Sequence, residues 1–250
     1  MKTAIIFTGF VRSFSFYGKK LYQNLFEAFP NADLYFCTWD IVDINDRKKI
    51  DCNLFNKFQN CKGITILDWE FHKNLIDTTI QQDRVDDLYH INRFAKMQGI
   101  DASNNIRNQW YLVHRAKDLL PRNYYDVIVR TRFDLNYTEF KVDSVESGVT
   151  IPYNFFTNHY AKNVDIESGF CDHLAYGTNE DMFIYFDMYN NFNKMYIEDN
   201  ANISHAEGIL KYYLTKYRKV KINMNNNILY QIVKSNDSID NTPTQRYEFI

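Results

Sequence analysis

Proline and glycine are scarce in this chain, with four and eight residues among 250. No Gly-, Ser- or Pro-rich linker interrupts it, no repeat recurs and no low-complexity block stands out, which excludes tethered modules and a solenoid. One domain over 1–250 is expected, long enough to bury a core without staples. Cysteine is equally sparse. Cys37, Cys52, Cys61 and Cys171 show no C-x-x-C spacing, so they read as reduced thiols rather than a disulfide framework. No apolar run approaches the roughly 18 residues of a membrane span. The apolar start is too short for a secretory signal and meets Arg12 at once, so a cytoplasmic location is expected. Charge of one sign is also missing: the formal net charge of −2 makes the whole chain no polyanion binder. The exception is local. From Lys211 to Lys234 there is no acid, while Lys211, Lys216, Arg218, Lys219, Lys221 and Lys234 lie there among tyrosines. That stretch is either a solvated face or a contact for an anionic partner.

Aromatic residues are abundant at 17%. A biased gene composition and a carbohydrate site would both give that excess, so it separates nothing. The order of patterns says more. "TAIIFTGF" is a short apolar run closed by Gly9, a buried strand and turn. "SFYGKKLYQNLFEAF" spaces Leu21, Leu25 and Phe29 as a helix that Pro30 ends. "ADLYFCTWD" and "GITILDW" are further strands. This β-α-β start predicts an α/β domain with a mainly parallel central sheet flanked by helices. "NNIRNQWYLVHRAKDLLP" is a helix with Ile106, Trp110, Val113, Ala116 and Leu120 on its apolar face, and Arg107, Tyr111 and Arg115 opposite. "VTIPYNFF", "KVKINM" and "NILYQIV" read as strands. "EDMFIYFDMYNNFNKMY" and "SHAEGILKYYLTKY" read as helices. Residues 70–103 have no assignable pattern.

"DVIVRTRFDL" poses the functional question. Side chains alternate along a strand, so Arg130, Arg132 and Asp134 share one face and Thr131, Phe133 and Leu135 the other. Arg132 and Asp134 would lie about 6.6 Å apart at Cα. In open α/β sheets, ligands bind beyond the carboxyl ends of the strands. Two guanidiniums and a carboxylate there suit a diphosphate, with or without a metal. The bland alternative is an exposed strand end whose ion pairs contribute about 0 to 1 kcal/mol.

Four stretches together resemble the small GT-A-fold sugar transferases of bacteria and viruses that act on nucleotide-sugar donors. They are "FTGFVRSF", "DLYFCTWD", "NQWYLVHRAKDLL" followed by "YDVIVRTRFDL", and "GFCDHLAYGT". The resemblance covers most of residues 3–215. It implies a GT-A-like, Rossmann-type sheet, with 1–135 as the nucleotide-sugar-binding half, 136–234 as the acceptor half and 235–250 as a polar tail. It implies glycosyl transfer to an acceptor hydroxyl, on a surface polysaccharide, a lipid-linked glycan or hydroxymethylated phage DNA. A catalytically inactive nucleotide- or partner-binding module on the same fold is the rival reading.

The resemblance also implies roles. Thr8, Gly9, Arg12 and Asp40 would seat the nucleoside, Tyr111 and Arg115 would line the donor site, and Arg130, Arg132 and Asp134 would hold the diphosphate. Asp172 would act on the acceptor hydroxyl as general base, or hold sugar hydroxyls. The family's Asp-x-Asp motif is altered here, since Arg132 stands at its first carboxylate. A divalent cation, Mn²⁺ or Mg²⁺, would then rest on Asp134 with His205. Alternatively, Arg130 and Arg132 clamp phosphate in the metal's place. Each of these residues also has a plain structural reading: a β-α turn for Gly9 and Arg12, a loop for Asp172, a helix start for His205.

Overall fold

The β-branched and aromatic runs form strands because each can be covered on both faces. The computed structural model describes residues 1–73, 102–153, 169–197 and 206–233. Strands β1 (Thr3–Gly9), β2 (Asp33–Trp39), β3 (Cys61–Leu67) and β4 (Val127–Arg132) pair in parallel, in the order β3-β2-β1-β4. β7 (Leu174–Thr178) adds to β4 antiparallel, and β6 (Val149–Pro152) and β8 (Ile222–Asn225) complete the seven-stranded sheet. The architecture is α/β with a mainly parallel sheet, as expected. β5 (Leu135–Phe140) and β9 (Ile228–Ile232) form a separate antiparallel ribbon.

Alternation along β1 sends its side chains into two cores. Ala4 and Ile6 join Cys37, Trp110, Val113 and Ile128 on the face covered by helix α3 (Ala102–Ala116). Ile5 and Phe7 join Phe14, Phe36, Phe55, Phe58 and Phe133 on the other. There the rings interlock, with Phe7 and Phe36 centroids 5.2 Å apart and Phe14 and Phe58 5.4 Å apart. Much of the aromatic surplus is therefore packing on this face.

Several local expectations are corrected. The first helical stretch is broken into α1 (Phe14–Tyr17), a 3₁₀ turn (Gly18–Tyr22) and α2 (Gln23–Ala28). Gly18 at φ 52° leaves the helical region, a conformation glycine adopts at little cost. The strand expected through Leu135 stops at Arg132, and Phe133 and Asp134 form a turn that releases the chain into β5. Within "GFCDHLAYG", residues 174–177 belong to strand β7, while residues 169–173, with Asp172, lie outside any strand, as its loop reading has it. Gly177 disguised the strand: a Cβ there would meet the Gly148 carbonyl oxygen at 2.5 Å, so only glycine allows the neighbouring chain this close. Arg107, expected on the outer side of its helix, is buried, with its guanidinium 6.0 Å from the Phe192 ring. The helix start at Glu180 and Asp181 is as read. In α4 (Asn179–Phe186), Thr178 caps by accepting from the Asp181 N–H. The helix expected from Ser204 is observed as α5 (Ala206–Tyr212) followed by a π turn, Tyr213–Tyr217. His205, residues 74–101 and the polar tail lie outside the described residues.

The four cysteines are free thiols. Cys52 is exposed while Cys37 and Cys171 are buried. A thiol reagent should therefore modify Cys52 in the native protein and reach Cys37 and Cys171 only after denaturation. Fewer than four thiols in denaturant would contradict this.

Candidate functional site

The order β3-β2-β1-β4 reverses direction at β1. The chain first builds outward to β2 and β3, then returns to the opposite side of β1 for β4. Such a switch point leaves a crevice at the carboxyl ends of the strands. Here a cleft of about 180 Å³ is lined by Thr8 and Gly9 from β1, by Phe10 and Arg12 after it, and by Arg130, Arg132 and Asp134 from the end of β4. Asn108, Gln109 and Leu112 of α3 and an apolar wall with Trp39 and Trp69 close it.

Local backbone sets this up. Gly9 sits at φ 120° with open space around it, so conformation and not crowding demands glycine. Arg12 holds φ 35°, unusual for a residue with a side chain, pinned by its N–H to the Val42 carbonyl at 3.1 Å. That kink returns its guanidinium toward β4. Arg12 Nη1 donates to Asp134 Oδ2 at 2.6 Å, and its Nε donates to Asp43 at 2.5 Å. Arg132 meets the same carboxylate through both oxygens, Nε to Oδ1 at 2.8 Å and Nη2 to Oδ2 at 2.6 Å. Asp134 is 2% exposed, while the Arg132 and Arg12 side chains keep 19% and 30% exposure. Burial alone would raise the Asp134 carboxyl; the guanidiniums of Arg132 and Arg12 overcome it and hold the group well below the usual carboxylate range.

Arg130 differs. It is 1% exposed and its partners are neutral oxygens, the Thr8 hydroxyl at 2.8 Å and the Asp172 backbone carbonyl. Among the described residues no carboxylate pairs with it directly. Its guanidinium puts a buried positive charge in the floor of the cleft, with the Asp172 carboxylate as its near, unbonded counter-charge.

Asp172 lies behind this floor, just before β7. Gln109 Nε2 donates to its Oδ2 at 2.5 Å, and His173 Nε2 stands 3.3 Å from its Oδ1. Oδ1 is buried and accepts no hydrogen bond in this geometry. Burial opposes its charge, but His173, Arg132, Gln109 and Arg130 outweigh it and lower its pKa. His173 is raised in turn: burial disfavours its charge, and Asp172 more than compensates. The other His173 nitrogen contacts the Tyr230 hydroxyl at 3.0 Å, and Cys171 Sγ lies 2.8 Å from the same oxygen.

The structure thus brings together Thr8, Gly9, Arg12, Arg130, Arg132 and Asp134, with Asp172 adjoining. It leaves three expected donor-site residues outside the cleft lining. Asp40 bonds Lys49 and accepts from the Trp69 N–H at 3.0 Å, fastening the segment after β2. Tyr111 contacts His72 Nδ1 at 3.0 Å and stacks on Trp39. Arg115 pairs with Asp118 at the surface. The α3 face that reaches the cleft carries Asn108 and Gln109. Gln109 interrupts the apolar stripe of Ile106, Trp110 and Val113, the signal that could have found it; Asn108 lies on the polar side beside Arg115 and carries no such signal. Asn108 Oδ1 is buried without a donor.

The described residues at Asp134 do not fit a divalent metal; His205, the other expected ligand, lies outside them. Such ions need several oxygens with free lone pairs, and both Asp134 oxygens are occupied by guanidinium N–H groups. Two like unit charges about 4 Å apart repel by about 4 kcal/mol at an effective dielectric of 20, and a dication doubles that against each arginine. Among the described residues no cluster of three or more His, Cys, Asp or Glu side chains could hold one.

Fold and cleft together define an α/β protein with a cationic crevice at the carboxyl ends of its parallel strands. No protein-family model matches the chain, and none of the curated proteins does. Solved structures similar to it include the following two. Galactosyltransferase LgtC, in complex with donor and acceptor sugar analogues, is 10% identical over 90% of this chain and 73% of that one, at a TM-score of 0.46. Mouse xyloside xylosyltransferase 1, in its apo form, is 8% identical over 90% of this chain and 84% of that one, at a TM-score of 0.41. No helix among the described residues is long and apolar enough to cross a membrane.

Proposed function

We propose that this cleft binds the diphosphate of a nucleotide-sugar donor and that the protein transfers the sugar to an acceptor hydroxyl. The convergence of Arg12, Arg130 and Arg132 at the β1/β4 switch point carries the reading. Guanidiniums match phosphate oxygens in charge and in forked geometry. Fixed before reaction by Asp134 and the β4 backbone, they stabilise the charge that grows on the departing diphosphate. Asn108 Oδ1, an acceptor without a donor on a residue of the cleft lining, suits a sugar hydroxyl. In this reading Asp172, kept ionised, orients the sugar or receives the acceptor proton, and the Phe10, Trp39 and Trp69 wall meets the nucleoside.

Exposed Lys216, Arg218 and Lys219 favour an anionic acceptor. A charged surface polysaccharide and duplex DNA with hydroxymethylated bases are the two to try, and salt-dependent duplex binding separates them.

A thermal-shift panel of UDP-, GDP-, CMP- and ADP-sugars tests the donor. One nucleotide class should raise Tm, and its sugar should be released or transferred on incubation. A shift without turnover would make the protein a binding module; no shift by any of them would remove the donor reading.

A further inference from the structure

The altered motif has a functional meaning of its own. We infer that the diphosphate is bound without a divalent metal, with Arg12 and Arg132 supplying the fixed positive charge and Asp134 positioning their guanidiniums. This rests on the donor reading above and names how that site recognises its ligand.

The geometry separates the two roles a carboxylate could take here. A metal-bridging Asp134 would need a free oxygen edge toward the cleft. Instead Oδ1 receives Arg132 Nε, and Oδ2 receives both Arg132 Nη2 and Arg12 Nη1. The carboxylate is the hub of a triad, and it holds two like-charged side chains side by side that would otherwise repel. Among the described residues, the remaining terminal nitrogens, Arg12 Nη2 and Arg132 Nη1, donate to no protein acceptor. Both side chains line the cleft and keep partial exposure, so these donors are available to a ligand. Charge is arranged the same way: Asp43, Asp134 and Asp172 hold the three guanidiniums from behind and beside, while Arg12 and Arg132 face the cleft. Arg132 also sits on β4 opposite Thr8 of β1, so one end of the triad is anchored on paired strands rather than a loop.

Titration of inorganic pyrophosphate into the full chain, in excess EDTA and then in Mn²⁺, tests this. The two Kd values should agree within about twofold. Binding that needs Mn²⁺, or tightens about tenfold with it, would overturn the inference and leave the donor reading standing. No binding in either buffer would remove both. Asp134→Asn provides the second arm, read on protein shown by its melting to be folded. The amide keeps one acceptor oxygen and turns its NH2 on the remaining guanidinium donors, so the fork is loosened. That variant should lose pyrophosphate affinity by the same factor in EDTA and in Mn²⁺; a loss confined to the Mn²⁺ buffer would mean that Asp134 holds a metal and would overturn the inference.

Discussion

Arg132→Ala should weaken nucleoside-diphosphate binding by about 10- to 150-fold while binding of the free nucleoside barely changes. A charge-assisted hydrogen bond contributes about 1.5 to 3 kcal/mol, and about 1.4 kcal/mol is a factor of ten. Arg132 is well placed for this because Asp134 fixes its fork through two contacts and leaves Nη1 for the ligand. Arg132→Lys should recover only part of the loss, since an ammonium cannot make the forked contact. Isothermal titration with nucleoside and with nucleoside diphosphate separates the roles. Equal losses for both ligands would mean that Arg132 maintains the fold and not the phosphate site.

The second large effect falls on stability. Asp134→Ala leaves Arg12 and Arg132 facing one another without their shared counter-charge. Breaking a buried ion pair from one side costs about 3 to 5 kcal/mol. Both guanidiniums retain some contact with water, so the lower figure of about 3 kcal/mol applies, or about 6 to 12 °C in Tm for a chain of this length. The pH dependence carries a definite sign. Asp134 has a folded pKa below its unfolded value near 3.9. Between those two values the unfolded chain binds more protons, so stability rises with pH there. Its contribution is complete above about pH 4 and is lost as pH falls toward and through the folded value. Asp172 is shifted the same way. Wild-type Tm should therefore drop as pH falls below about 4, and Asp134→Ala should show a shallower drop. Parallel curves for the two proteins would refute the role of the triad.

Much of the framework was legible in the residues alone. Runs such as Ala4–Phe7 and Val127–Val129 are apolar at every position, which only a strand covered on both faces tolerates, and their interleaving with helical spacing points to a parallel sheet. The alternation of Arg130 and Arg132 against Thr131 and Phe133 placed the charges at the end of such a strand, where switch-point clefts form. These are local properties of period and burial, and they survive folding unchanged.

Pairings across long stretches of chain were not legible. Nothing near Asp134 in sequence signals that Arg12, 122 positions earlier, would occupy one of its oxygens. The kink at Arg12 and the parallel register of β1 on β4 make that contact, and with it set Asp134 between two guanidiniums. The same holds for β7, whose Gly177 hides the strand until its neighbour is in place, and for Asn108, which a helical wheel sets on the polar side until α3 docks. Residue periodicity determined the layers of this protein. Tertiary structure decided which charges neutralise one another, because an ion pair depends on distance in space and on burial, and both exist only once the sheet has closed around the cleft.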